Sequence, residues 1–355
     1  MSLKDILIAR IQQNGPLTVA DYMTECLLHP KHGYYTNRDP LGSRGDFTTA
    51  PEISQMFGEL IGLCIAQCWV DQGRPAQICL AELGPGRGTL MADILRATRQ
   101  VPGFHDAAEI FLLEASPTLR EIQRETLRDY SPKWSSSISD LPALPLFLIA
   151  NEFFDALPIR QFLRDGDGWR ERLVGSDGKS LNFGLGTRAA QTLLKDRLTD
   201  TNDGDLVECC AAAVPIISSA AERIATCGGM ALIVDYGDWR ALGDTFQALR
   251  DHKHSDPLEE PGKADLTAHV DFEAIARSAQ SAGCSFSRLT PQGVYLERLG
   301  ITARAQSLAS SLQGQALEAH ILAHRRLTHP NEMGNLFKVL GIYPPSAAPP
   351  PGLEP

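Results

Sequence analysis

No two cysteines in this chain have the Cys-x-x-Cys spacing, so a zinc site or a dithiol redox motif has no support and no metal is expected. The eight cysteines are scattered and read as buried, reduced thiols. No apolar run approaches the length of a membrane span. Residues 1–10 lack the apolar centre of a secretory signal and the Arg/Ser bias of a transit peptide. Basic residues are in deficit, with 33 Lys and Arg against 43 Asp and Glu and a net charge of −10. A large nucleic-acid footprint needs a dense basic face, so nucleic acid is not an expected partner. Together these absences give the cytoplasm, that of a bacterium, as the expected compartment. What remains is an ordinary globular composition, 43% hydrophobic and 21% charged over 355 residues. That length holds one large α/β domain with additions, or two domains.

The periodicity predicts short helices over 3–13 and 18–28, separated by Asn14, Gly15 and Pro16. A long Gly-, Pro- and Asp-rich loop over 29–50 follows. A firm helix then begins near Pro51, where Thr49 and Glu52 have capping-box spacing. From there strands and helices alternate as in a parallel sheet. Strands are expected at 77–83, 109–114, 145–150 and 229–235, with helices at 88–99 and 117–129. The segment 160–228 reads as short strands plus a helix, partly an insertion on the sheet. Residues 271–282 and 302–328 read as helical. Residues 284–289 and 335–343 suit a final antiparallel edge.

The most informative run is Glu82-Leu83-Gly84-Pro85-Gly86-Arg87-Gly88-Thr89, between a predicted strand and a predicted helix. A Walker loop would end in Gly-Lys-Ser/Thr, and this one has no lysine. A dinucleotide loop would read Gly-x-Gly-x-x-Gly, and here the spacing is Gly-x-Gly-x-Gly. Glu82 would repel a diphosphate but attracts a cation, such as the ammonium and sulfonium of S-adenosylmethionine. Glu114, at the end of the next strand, is placed to accept ribose hydroxyls, although nicotinamide enzymes use an acid there too. Cofactor contacts are therefore expected from Glu82, Gly84, Pro85, Gly86, Gly88, Thr89 and Glu114.

A second polar group leaves the strand at 145–150: Asn151, Glu152 and Asp155, among Phe153 and Phe154. In open α/β sheets ligands sit beyond the carboxyl ends of strands, which puts these three at the reacting centre. A carboxylate there can pair with a guanidinium through two parallel hydrogen bonds and orient one nitrogen. Asp155 serves equally as a helix cap, and Glu152 as a solvated loop acid. The loop around Asp46 and Thr49 reads as a lid over the cofactor, beside its capping role. His252 and His254 lie two apart in a polar stretch, which suits a substrate-contact loop or a plain surface loop. His269 fits a capping or core position, and Asp235-Tyr236-Gly237 either lines a cleft or makes a turn.

Four runs together resemble the MidA-like methyltransferase family: 45–54 (Gly-Asp-Phe-Thr-Thr-Ala-Pro-Glu-Ile-Ser), 82–91 (Glu-Leu-Gly-Pro-Gly-Arg-Gly-Thr-Leu-Met), 151–158 (Asn-Glu-Phe-Phe-Asp-Ala-Leu-Pro) and 293–300 (Gly-Val-Tyr-Leu-Glu-Arg-Leu-Gly). The resemblance spans roughly residues 5–343. It implies a Rossmann-like, seven-stranded class I methyltransferase core using S-adenosylmethionine. It also implies methylation of a protein arginine, because the family includes a mitochondrial complex I assembly factor of that activity. A respiratory complex I subunit is then the natural candidate partner. The family's glycine loop falls on Gly84, Gly86 and Gly88, its ribose acid on Glu114, and its acidic motif on Asn151, Glu152 and Asp155. The expected organisation is a helical region with a lid loop over 1–75 and a catalytic domain over 76–343. Insertions fall near 160–228 and 295–330, and a flexible Pro-rich tail occupies 344–355. Two rival readings are a non-catalytic assembly chaperone on the same scaffold and a small-molecule methyltransferase.

Overall fold

The computed structural model describes residues 1–37, 49–250 and 253–355. The chain divides into two units that interleave along the sequence, not at the expected boundary near 75. The first comprises Met1–Phe47, Asp155–Ala213 and Asp238–Asp271, and the second Thr48–Phe154, Val214–Gly237 and Phe272–Pro355.

The second unit holds a seven-strand path. Its order is Ser285–Phe286, Phe337–Tyr343, Gly229–Asp238, Leu146–Asn151, Ile78–Leu83, Ala108–Leu113 and Lys133–Ser135. The last five are mutually parallel, and Phe337–Tyr343 runs antiparallel to Gly229–Asp238. The strands Ile78–Leu83 and Leu146–Asn151 are buried at every residue, which is why both read as unbroken apolar runs. They are neighbours, although the chain makes two other strands between them. The strand order therefore reverses there, and their carboxyl ends form a topological switch point, where open α/β sheets bind ligands.

The helix Gln55–Asp71 packs on this sheet through Met56, Phe57, Leu60, Ile61 and Ile65. Its Gly58 and Gly62 admit close approach of the helix Thr89–Thr98. A Cβ at Gly58 would lie 2.5 Å from Asp93 Cβ, and one at Gly62 would lie 2.9 Å from Ile94 Cα. The expected capping box does not form. Thr49 precedes the short helix Ala50–Ile53 without a side-chain cap bond. The extended backbone of Ser54 (φ −161°) ends that helix, and Ser54 caps Gln55–Asp71 with its own hydroxyl. The Pro-rich tail is not frayed. Leu353 is buried in the main core, and Arg288 N–H donates to Glu354 O at 2.8 Å.

In the first unit the segment expected as an insertion on the main sheet builds a separate antiparallel one. Its order is Leu17–Thr18, Gly168–Ser176, Arg160–Asp165 and Leu206–Cys209, with Leu181–Ala189 also paired to Gly168–Ser176. The helices Leu3–Asn14 and Val19–Leu28 supply Leu7, Val19, Tyr22 and Met23 to its core. The histidine segment is a strand where described. Lys253–Ser255 pairs with Gln247–Arg250, setting His254 opposite Leu249, while His252 lies outside the described residues.

Candidate functional site

The glycine loop begins where the Ile78–Leu83 strand ends. Gly84, Gly86 and Gly88 have φ of 59°, 53° and 81°, the left-handed region open to glycine at little cost. Space adds a second demand at Gly84, where a Cβ would lie 2.9 Å from Phe153 Cδ2. Gly88 N–H donates to Pro85 O at 2.7 Å, closing the turn. Gly88 then starts the helix Thr89–Thr98 with no side-chain cap. The Thr89 hydroxyl donates to Glu52 Oε1 at 2.5 Å, which occupies the carboxylate the capping box would have used.

Two buried acceptors at the switch point have no hydrogen-bond partner among the described residues: Glu82 Oε2 and Asn151 Oδ1. Glu82 sits opposite Ile149 in register, two residues before Asn151. Burial pushes the Glu82 carboxyl up to about 8. A backbone hydrogen bond from Met91 opposes that rise, and the negative charge of Glu114 adds to it. An unmet buried acceptor is costly, on the order of 1–3 kcal/mol, so both atoms call for a ligand that donates hydrogen bonds.

Beside them lies a cavity of about 450 Å³, lined by Leu83, Leu113, Glu114, Ile138, Phe153 and Ile216 among others. Glu114 is its carboxylate. Its Oε1 accepts Ser116 N–H at 2.7 Å and its Oε2 accepts Gln123 Nε2 at 3.2 Å. Burial raises its carboxyl above the usual range against those two bonds. Arg120 donates through Nε to the Glu114 carbonyl at 2.8 Å, fixing the strand end. Apolar walls, one acid and two orphan acceptors fit the base, diol and cationic tail of S-adenosylmethionine, whereas a diphosphate would face two carboxylates.

The turn after the Leu146–Asn151 strand is strained. Glu152 has φ 51°, a conformation costing a non-glycine residue on the order of 1–3 kcal/mol. Its N–H donates to Val234 O at 2.9 Å, and its Oε1 accepts Ala50 N–H at 3.1 Å and Asn151 Nδ2 at 3.2 Å. The next two N–H groups, of Phe153 and Phe154, both donate to Asp235 Oδ2, at 3.2 and 2.9 Å. Asp235 is fully buried in the adjacent strand Gly229–Asp238 and also accepts Tyr236 N–H at 3.0 Å.

The second unit thus brings together Glu82, Gly84, Pro85, Gly86, Gly88, Thr89, Glu114, Asn151 and Glu152, with Thr49 beside them in the Ala50–Ile53 turn. Asp155 falls in the first unit, where its carbonyl accepts Ala268 N–H at 2.9 Å. Asp46 lies outside the described residues. The sequence singles out neither Arg120, which lines the cavity, nor Gln123, which is buried behind it on the same helix. Asp235, expected to line a cleft or make a turn, lies within the strand Gly229–Asp238, where a lone acid after an apolar run is the available signal.

Comparison with known proteins bears on this geometry. The Methyltransf_28 family, described as S-adenosyl-L-methionine-dependent methyltransferases, matches residues 60–290. The mitochondrial protein arginine methyltransferase NDUFAF7 of Xenopus laevis is 39% identical, over 97% of this chain and 85% of that protein. The Homo sapiens protein of that name is 37% identical, over 95% and 82%. A COG1565 superfamily member from Burkholderia thailandensis, solved bound to S-adenosyl-homocysteine, superposes with a TM-score of 0.84 at 28% identity, covering 99% of this chain and 94% of that one. One expectation is corrected. The relatives are named as mitochondrial proteins, which overturns the cytoplasmic compartment inferred from an unremarkable N-terminus. Among the described residues no helix is long and apolar enough to cross a membrane. Fold, glycine loop and near-full-length similarity agree: the chain belongs to the Methyltransf_28 family of S-adenosylmethionine-dependent methyltransferases.

Proposed function

We propose that the chain methylates a terminal guanidinium nitrogen of an arginine in a protein substrate, and that a respiratory complex I subunit is that substrate. The observation that carries the proposal is the carboxylate of Glu152, whose backbone is strained, beside the orphan Asn151 Oδ1, at the switch point next to the glycine loop. Its setting is a chain 36–39% identical to proteins named as arginine methyltransferases. S-adenosylmethionine, when bound, supplies a methyl group made electrophilic by its sulfonium.

The chain's own residues supply placement. Gly84, Pro85, Gly86 and Gly88 bring the backbone close to the cofactor, and Thr89 anchors the following helix through Glu52. Glu82 takes the cationic tail and Glu114 the ribose hydroxyls. The Asn151 Oδ1 acceptor and the neighbouring Glu152 carboxylate suit the N–H-rich edge of a guanidinium. Glu152 cannot swing away, because Ala50 N–H and Asn151 Nδ2 hold one oxygen. It orients one nitrogen toward the methyl and favours the charge that methylarginine retains. Thr49, which precedes the Ala50–Ile53 helix, completes the cofactor side of the site.

The test is transfer of labelled methyl from S-adenosylmethionine to an extract of cells lacking the protein, followed by tandem mass spectrometry. The expected product is methylarginine in a protein of respiratory complex I. Label confined to small molecules, or to another residue type, contradicts the reading.

A further inference from the structure

Gln123 is fully buried on the helix Pro117–Thr126 and does not line the cavity, yet its amide oxygen and both amide hydrogens are engaged by the site's framework. Its Oε1 accepts Trp134 Nε1–H at 2.8 Å. Its Nε2 donates to the Gly86 carbonyl at 2.7 Å and to Glu114 Oε2 at 3.2 Å. An indole nitrogen only donates, so the Gln123 oxygen must face Trp134. The amide's two hydrogens must then face the two acceptors, and the flipped amide would set oxygen against oxygen at both. No other uncharged side chain of this length offers one acceptor and two donors in that fork.

The consequence concerns two pieces of the site that come from different strands. Gly86 belongs to the loop after Ile78–Leu83, and Glu114 follows Ala108–Leu113. Gln123 joins them through one nitrogen. Glu114 Oε1 is already held by Ser116 N–H, so the Gln123 bond to Oε2 fixes the remaining rotation of the carboxylate. Ala115 N–H also supports the carboxylate, so three donors leave one of its four acceptor sites to a ligand. Trp134 is itself braced, with the Arg124 guanidinium 4.9 Å over its ring. We propose that Gln123 is a positioning residue that locks Glu114 to the glycine loop and thereby sets how strongly the site recognises the ribose hydroxyls of its nucleoside. This rests on the reading of Glu114 as the acceptor of those hydroxyls.

The experiment is calorimetric titration of the full chain with S-adenosylhomocysteine and with its 2′-deoxy counterpart. Wild type is expected to prefer the ribose form by roughly 10- to 100-fold, the strength of a hydrogen bond to a charged group. In Gln123→Met that preference should fall to about 3-fold or less, with binding of the deoxy compound little changed. Gln123→Glu is the second variant. It keeps the size and the acceptor for Trp134, loses the donors when ionised, and should collapse the preference in the same way. A wild-type preference retained in either folded variant overturns the positioning role, as does equal weakening of both ligands. A wild type that does not distinguish the two ligands overturns the reading of Glu114 itself, and the proposal with it.

Discussion

The Asp235 carboxylate accepts the backbone N–H of Phe154 at 2.9 Å, and so ties the turn carrying Glu152 to the neighbouring strand. The same oxygen holds Phe153 N–H. The strained backbone of Glu152 persists because the two residues after it cannot relax.

Asp235→Ala strands the Phe153 and Phe154 N–H groups. It should destabilise the protein by about 2–4 kcal/mol, read as a shift in the urea midpoint. Because Glu152 loses its bearing, methyl transfer should fall more than cofactor affinity does. A variant that loses both in equal proportion would place Asp235 in general packing instead.

Much of this arrangement was legible in the sequence. The buried parallel strands show as apolar runs, and the glycine loop is readable because Gly-x-Gly-x-Gly after a strand has few uses. What was not legible depends on contacts between distant segments. Thr49 and Glu52 satisfy a local spacing rule, but Glu52 is taken by Thr89, thirty-seven residues on. The tail looks disordered because prolines cannot join a sheet, yet Leu353 packs into the main core. Gln123 carries no sequence signal, because one glutamine in a charged helix resembles its exposed neighbours until the fold buries it. The compartment failed for another reason. It rested on absences alone, and the mitochondrial names of the relatives outweigh them.

Gly84→Ala combines a disfavoured φ of 59° with a Cβ 2.9 Å from Phe153 Cδ2. The backbone term alone is worth roughly 1–3 kcal/mol. The loop and Phe153 must part, so S-adenosylhomocysteine affinity should drop at least about 10-fold in calorimetry, as a shift of 1.4 kcal/mol would give. Binding unchanged within error would show that the loop is not the cofactor cradle.

Glu82 predicts a pH dependence of the ligand-free protein. Burial holds its folded carboxyl up at about 8, well above the 4.5 of an exposed glutamate. Between those values the folded state binds the extra proton and the unfolded state does not, so stability falls as pH rises. The contribution is full below about pH 4.5 and is lost as pH climbs through about 8, a span on the order of 4–5 kcal/mol. Urea midpoints of the apo protein should therefore decline from pH 5 to pH 8, and Glu82→Gln should flatten that decline. An identical slope in the variant would assign the effect to other groups.

The most direct measurement is single-turnover methyl transfer to the identified arginine substrate by wild type and by Glu152→Gln, with cofactor affinity determined for each. On the proposed role of Glu152, loss of its charge should slow transfer by roughly 100-fold or more, the range of charge-assisted positioning effects, while cofactor affinity stays within about 3-fold. A variant that transfers methyl at the wild-type rate would contradict the account.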